Sequence, residues 1–477
     1  MSTINVNNLS GKGGATPNLP DGAVISGVAT VTNLKPTNVN VSGAVTATTF
    51  DGSLKSTGTP TLGLGVTINS SGVHVSGICT AGTCFKAGNG AFGPGIGVTI
   101  LGSGDAVLAG VVTATTFVPT VGQLSNRNLM INGAMQVAQR GITTSVTSSY
   151  ACDRYRLTFT NTDEAATIAQ VALTSSDTGP WGVGFRYASQ ITNGNQTSGA
   201  GAADNVFMKY KYEAQDLAQS GWDYNSSSSY VTLSFWVKSS VAQNFYGWIV
   251  TDDGTQQNYP FETGSLTADT WTKITKAIPG NSNITMTNDN SAGLALHLVA
   301  FQGTDYTASG VALDTWAAYA SGTRTPDFTS TWYTTNDSTF AFTGFQLEVG
   351  SVATPFEHRT YADDLLKCQR YFQIFGGDVN YSPFGTGAWK TTTQAGCHLN
   401  LMSEMRSAPT MTVVDPTDSS VRSAASNVTT TTVVLDIASP KVIMYNCNAA
   451  SGGTGGNGAV HYASGNHNQT LSFSSEL

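Results

Sequence analysis

Between Gly27 and Gly122 the chain copies itself. VSGAVTATTF at Val41–Phe50, VSGICTAGTCF at Val75–Phe85 and LAGVVTATTF at Leu108–Phe117 are three versions of one segment, with Gly43, Gly77 and Gly110 spaced 34 and 33 residues apart. A second element, GLGVTI at Gly63–Ile68, returns as GIGVTI at Gly95–Ile100, and GVATVTNL at Gly27–Leu34 is a partial copy. Each repeat therefore spells two or three short strands punctuated by glycine. Repeat units of this kind need a neighbour to cover their apolar face. One chain offers only Val, Ile, Ala and Phe in short runs, too little burial to offset a backbone entropy of about 1–2 kcal/mol per residue. Sister chains wound round one axis would supply the missing interior. The expectation is a fibrous, homotrimeric shaft over residues 27–122, with a single-chain β-solenoid as the alternative.

The remainder is also written in strands. In 477 residues only 11% are charged, and Lys/Glu/Leu/Ala runs of helical period are absent, which fits an all-β chain. Residues 1–26 are polar, carry glycine and proline and show no periodicity, as expected of an attachment arm that orders on a partner. From residue 123 to 360 strands show by alternation. Val231, Leu233, Phe235 and Val237 face one way, with Thr232, Ser234, Trp236 and Lys238 facing the other. Leu294, Leu296 and Leu298 repeat the pattern, and Phe245–Val250 and Trp271–Ile278 are further candidates. Turns fall at Asp253–Gly254 and Pro279–Gly280. Eight or more such strands predict a two-sheet jelly-roll β-sandwich.

One strand breaks its own alternation. Phe340 and Phe342 share one face, whereas Phe345, Leu347 and Val349 fall on the other, and Gly344 sits at the slip, as expected of a β-bulge. Pro355 should end strand pairing. A short helix over 361–372 follows, with Thr360 as N-cap, Asp363 closing a capping box, and Tyr361, Leu365, Cys368 and Phe372 as its apolar stripe. Residues 361–477 then read as this linker helix and a small C-terminal β domain, the tip of a fibre. Its strands are expected at His398–Met402, Thr410–Val414, Thr430–Ile437 and Lys441–Tyr445.

Several function classes recede. The net charge is −8 and no Lys/Arg cluster occurs, which argues against nucleic acid or an anionic membrane surface as partner. No apolar run is long enough to span a bilayer, and no signal peptide shows at the N-terminus, so synthesis in the cytosol and release within a particle is the expectation. Cys79, Cys84, Cys152, Cys368, Cys397 and Cys447 are too sparse and uneven for a disulfide framework or a zinc site. No nucleophile elbow, P-loop, dinucleotide fingerprint or HExxH occurs. Asp252-Asp253 and Asn288-Asp289-Asn290 are oxygen-rich loops, read as solvated turns in preference to Ca²⁺ sites. His461 and His467 are read as exposed polar histidines in preference to a metal on a trimer axis. No cofactor and no metal is expected.

The stretch GFQLEVG-x-VATPFEHR followed by LLKCQRYF, at Gly344–Phe372, resembles the end of a jelly-roll domain found in bacteriophage tail-fibre proteins. NLMINGAMQVAQRG at Asn128–Gly141, DRY at Asp153–Tyr155 and LSFWVKSS at Leu233–Ser240 agree with that family in the same order, and together they span about half the chain. The resemblance implies a structural, carbohydrate-facing module of a virion. Sugar recognition needs aromatic faces for pyranose C–H groups and amides or carboxylates for the hydroxyls. The candidate residues are Trp181 and Trp222 in loops, Tyr224 beside the latter, and Tyr246 and Trp248 on one strand face. The expected function is a homotrimeric tail fibre that docks on other virion proteins through its N-terminal arm and attaches to a host surface glycan, without catalysis. A purely structural collar or baseplate appendage and a polysaccharide depolymerase are the alternatives.

Overall fold

A computed structural model describes residues 66–69, 72–75, 98–100, 106–108, 125–423, 427–465 and 469–477. The chain forms two compact units, Met1–Ala114 and Thr115–Leu477. In the first, Val66–Asn69 pairs antiparallel with Gly72–Val75, and Val98–Ile100 with Ala106–Leu108. The two hairpins start on the two copies of the GVTI element, so each repeat supplies one. The rest of the expected shaft, including the TATTF segments, and the N-terminal arm lie outside the described residues.

The second unit opens with a β-sandwich. One sheet runs Ala317–Ala318, Gln257–Ser265, Asn244–Thr251, Ala292–Gln302, Asn205–Glu213, Arg156–Thr160, Ser149–Tyr150. The other runs Thr272–Pro279, Tyr230–Ser239, Thr339–Val349, Tyr187–Thr192, Thr167–Ala172, Thr143–Thr144. Their inner faces supply one core. Val231, Leu233, Phe235 and Val237 meet Leu294, Leu296 and Leu298 there, as their alternation predicts.

The slip at Gly344 is the feature on which this core turns. Gly344 has φ +68°, and the ladder between Tyr230–Ser239 and Thr339–Val349 shifts register across it. One extra residue on the bulged strand reverses the phase, so Phe340, Phe342, Phe345 and Leu347 all enter the same core instead of dividing between faces. Phe345 stacks on Phe235 at 4.8 Å and 11° and meets Tyr155, just before the opposite sheet's strand Arg156–Thr160, at 5.5 Å. The bulge is also where the strand changes partner. Phe340–Phe342 pair with Ser189–Ile191, whereas beyond Gly344 the Phe345 N–H donates to Gly133 O and the Leu129 N–H to Leu347 O. Asn128 locks the junction, donating to Phe345 O at 2.9 Å and accepting from the Leu347 N–H at 3.1 Å.

The predicted helix forms over Tyr361–Gln369 with Thr360 as N-cap, its hydroxyl accepting from the Asp363 N–H. Its buried residues are Asp364 and Cys368, while Tyr361 is exposed. Asp364 turns inward because the Gln136 amide donates to it at 2.7 Å, so the stripe expected through Tyr361 is rotated.

Past the helix lie a three-stranded sheet, Phe372–Gly376, Thr470–Ser474, Thr410–Val413, and a seven-stranded one, Asn427–Thr429, Ser419–Arg422, Gly458–Ala463, Pro383–Trp389, Gln394–Asn400, Val442–Asn448, Thr432–Ala438. They enclose a separate core around Trp389, Cys397, Tyr445 and Phe473. A buried polar seam joins this block to the sandwich. Arg370 grips fully buried Glu213 at 2.6 and 2.7 Å, and Tyr371 donates to the same carboxylate. Arg154 pairs with Glu476 while its guanidinium lies 3.4 Å over the Tyr371 ring. Removing one partner of such a pair costs about 3–5 kcal/mol, because the other charge stays buried.

His461 is completely buried, not the exposed histidine expected, and hydrogen-bonds Tyr445 Oη and Ser419 Oγ. Burial pushes its pKa down to about 3. The unfolded chain binds a proton near pH 6.5 and the folded one does not. The stability of this block is therefore full above about pH 6.5 and falls by about 1.4 kcal/mol per unit down to about pH 3. Urea midpoints measured from pH 7.5 to 4 should fall along that slope, and His461→Gln should flatten it.

Candidate functional site

Because one face of the Tyr230–Ser239 strand fills the core, its alternate residues stand on the outer face of the sheet. Ser234 and Trp236 there form the floor of a cleft of about 450 Å³, with Gly344 beside them. Two loops wall it. Val183 and Phe185 come from the segment before Tyr187–Thr192, and Pro355, Phe356 and His358 from the chain leaving the bulged strand.

Phe185, Phe356 and His358 form a mutually packed ring cluster. Phe185 meets Phe356 at 4.7 Å, close to edge-on, and His358 lies 5.2 Å from Phe185 and 4.9 Å from Phe356. His358 is fixed by a 2.8 Å hydrogen bond between Nε2 and Val183 O. The floor can come this close to the walls only where side chains are missing. A Cβ on Gly344 would lie 2.6 Å from the Phe185 ring and 3.2 Å from Trp236, and one on Gly179 would lie 2.6 Å from Trp236. Both glycines have positive φ.

The first wall is anchored by Asp177, which accepts from Trp271 Nε1 at 2.9 Å, Lys238 Nζ at 3.0 Å and the Thr174 N–H at 2.9 Å. Burial alone would raise this carboxyl, but those three donors outweigh it and bring the pKa to about 2. The loop is therefore pinned by a carboxylate that stays charged at neutral pH.

Chemically the cleft offers ring faces from Trp236 and Phe356 and polar groups from Ser234, Lys273, Thr354 and His358. Apolar ring faces with a few hydrogen-bonding groups around them suit a ligand with C–H faces and hydroxyl edges. Among the described residues lining the cleft none is a carboxylate.

The five residues expected to bind a glycan do not come together. Trp181 lies beside the cleft, half-buried, in the cluster shared by Phe185, Trp236 and Phe356, with Arg186 3.8 Å over its ring. Trp222 is only 3% exposed and belongs to the main core. Its loop turns inward, with Nε1 donating to Ser229 O, so it is no sugar platform. Tyr224 packs half-buried against the same core, 6.3 Å from Trp222. Tyr246 and Trp248 share the outer face of the other sheet, as the alternation predicts, but the segment after Gln302 covers them. Tyr246 meets Phe328 edge-on at 5.0 Å. Trp248, 2% exposed, is stacked on His297 at 4.1 Å with Arg324 above it, which closes its face to a ligand. Sequence reasoning missed Phe185, Phe356 and His358 and left Trp236 out of the candidates. Two signals were present: alternation puts Trp236 opposite Phe235, and the PFEHR stretch carries two rings directly after Pro355, past the end of the strand at Val349. The oxygen-rich loops close on each other instead, with Asp253 accepting from the Thr287 N–H and hydroxyl and Asp289 from Ser291.

No protein-family model and no curated protein sequence matches the chain. Solved structures similar to it include TmCBM61 in complex with β-1,4-galactotriose, at 12% identity over 46% of this chain and 98% of that chain, TM-score 0.23. Another is the family 11 carbohydrate-binding module from Clostridium thermocellum in complex with a β-1,3-1,4-mixed-linked tetrasaccharide, at 11% identity over 45% and 98%, TM-score 0.21. A third is the N-terminal CBM22-1–CBM22-2 tandem domain of Paenibacillus barcinonensis Xyn10C, at 10% identity over 71% and 97%, TM-score 0.21. At these scores the likeness adds nothing to the chemistry of the cleft.

Placement in the core makes a direct prediction. Trp222→Ala should cost about 3–5 kcal/mol in urea unfolding, whereas Trp236→Ala, on an outer face, should cost clearly less. Equal losses would place both rings in the core.

Proposed function

We propose that this chain is a homotrimeric fibre protein of a virion, most like a bacteriophage tail fibre, whose sandwich binds a host cell-surface glycan in the Trp236 cleft. The observation that carries the glycan reading is the cleft itself: aromatic faces from Trp236 and Phe356, polar groups at the rim, and walls fixed in advance by Asp177 and His358. Pre-ordered walls lower the entropy cost of binding. The residues lining the cleft supply recognition groups and no acid pair, which favours attachment over cleavage. The fibre part of the reading rests on the repeats of residues 27–122 and on the ordered motif resemblance. In it the N-terminal arm docks on other virion proteins and the repeats act as a spacer. A single sugar site of this kind is weak, and three linked copies raise apparent affinity by about 10²–10⁴ where the geometry permits.

The test is a glycan array probed with the full chain, followed by titration of the best hit. Trp236→Ala and Phe356→Ala should each weaken binding by about two- to tenfold, since an aromatic contact is worth about 0.5–1.5 kcal/mol. Binding unchanged in both variants would move recognition away from the cleft. Absence of any hit, with attachment to the particle retained, would favour a scaffold fibre, and release of reducing ends from host polysaccharide would mean an enzyme.

A further inference from the structure

The chain has a net charge of −8 and no Lys/Arg cluster along its sequence, yet the fold assembles one. In the sheet that contains Asn205–Glu213 and Ala292–Gln302, the residues that alternate out of the core stand on the far side of the sandwich from the Trp236 cleft. Register sets Arg156 beside Lys209, Lys209 beside His297 and His297 beside Trp248, one row across four strands. Lys211 follows two residues along from Lys209 on the same face. Arg324, from the segment that covers this face, lies 5.6 Å from the Trp248 ring. Cations from three separate segments thus converge, and at strand spacings of about 4.8 Å the row is about 14 Å long.

Counter-charge is missing there. Lys211 pairs with Asp252 at 3.4 Å, and Glu476, near the Arg156 end, is taken by Arg140 and Arg154. Among the described residues, Arg156, Lys209 and Arg324 have no carboxylate within 4 Å. The Arg156 guanidinium donates to Ser148 Oγ at 2.6 Å and Arg324 Nε to Tyr319 Oη at 3.1 Å, both neutral acceptors. Arg156 Nε, Thr158 Oγ1 and Trp248 Nε1, all on this face, are buried without a hydrogen bond, which is costly for a polar atom. Burial first, and then the like charges of Lys211, Arg156 and Arg324 against the one opposing carboxylate of Asp252, bring the Lys209 pKa down to about 8. His297 is held neutral by burial and by Lys209, Arg324 and Lys211 around it.

Shape narrows the class of ligand. The hollow lined by Arg156, Lys209 and Lys211 measures about 10 Å³, room for one oxygen-sized group and not for a ring. Trp248 lies flat on His297 at 4.1 Å, so it offers no platform for the base stacking that single-stranded nucleic acid uses. An acidic glycan needs no such platform, because its rings stay outside while its pendant oxyanions reach the cations. The negative charge of the whole chain does not prevent this, since charges more than about 8 Å away are screened at physiological salt.

We infer that this outer face binds an acidic polysaccharide, with Arg156, Lys209 and Arg324 holding its carboxylate or sulfate groups. The inference needs neither the Trp236 cleft nor an assembly of copies. Affinity electrophoresis of the full chain at pH 7 tests it, in gels containing polygalacturonate, dextran sulfate or neutral dextran. Retardation by one or both polyanions and none by neutral dextran is expected, the first polymer reporting carboxylate and the second sulfate. Lys209→Gln and Arg156→Gln should each weaken binding about tenfold, the worth of one hydrogen bond to a charged group. Lys441→Gln, the same loss of charge at an exposed site on the C-terminal block, should leave binding unchanged. Lys209→Arg keeps the cation and should restore it. Trp236→Ala should also leave it unchanged, so that failure of the cleft and failure of this face are separate results. Absence of retardation by both polyanions, equal weakening by Lys441→Gln, or Lys209→Arg binding as weakly as Lys209→Gln would each overturn the inference.

Discussion

A bulge at one glycine governs both sides of the sandwich. At Gly344 the strand Thr339–Val349 takes an extra residue, and everything after it changes face. On the inner side this gathers Phe340, Phe342, Phe345 and Leu347 into one core, with Phe345 reaching Tyr155 at the start of the opposite sheet's Arg156–Thr160 strand. On the outer side it leaves a residue without a side chain under Phe185 and beside Trp236, which is the floor of the cleft. Core register and cleft shape are thus two consequences of one backbone conformation that an L-residue adopts only at a cost of about 1–2 kcal/mol.

Around that point the fold is built to hold the cleft still. Asn128 and Gly133 take over as partners of the bulged strand where the Tyr187–Thr192 strand leaves it. Asp177 ties one wall to Trp271 and Lys238, and His358 ties the other wall to Val183. The second core is welded to the first through Arg370 and Glu213 and through Arg154 and Glu476.

Much of this was legible in the sequence. Alternation gave the strands, and the slip between Phe342 and Phe345 gave the bulge, because a two-residue period shows a single insertion plainly. Thr360 with Asp363 gave the helix start. What was not legible depends on contacts between distant segments. Trp222 sits in a polar, loop-like stretch, and only the inward turn of that loop makes it core. Trp248 alternates outward as read, and only the segment after Gln302 hides it. Tyr361 belongs to the apolar stripe by spacing, but the Gln136 amide draws Asp364 inward and rotates the helix. The cleft was hidden for the same reason: Phe185, Trp236 and Phe356 lie on three segments that only the folded chain brings together.

The coupling of core and cleft through Gly344 is tested most directly by comparing two Gly→Ala substitutions in urea unfolding. Gly310 also has positive φ, 86°, but nothing lies within 4 Å of its missing Cβ, so Gly310→Ala reports backbone strain alone, about 1 kcal/mol. Gly344→Ala adds a methyl against Phe185 and Trp236 and should cost about 2–4 kcal/mol. Equal losses at the two positions would contradict the account, since Gly344 would then be an ordinary turn glycine and not the pivot of the sandwich.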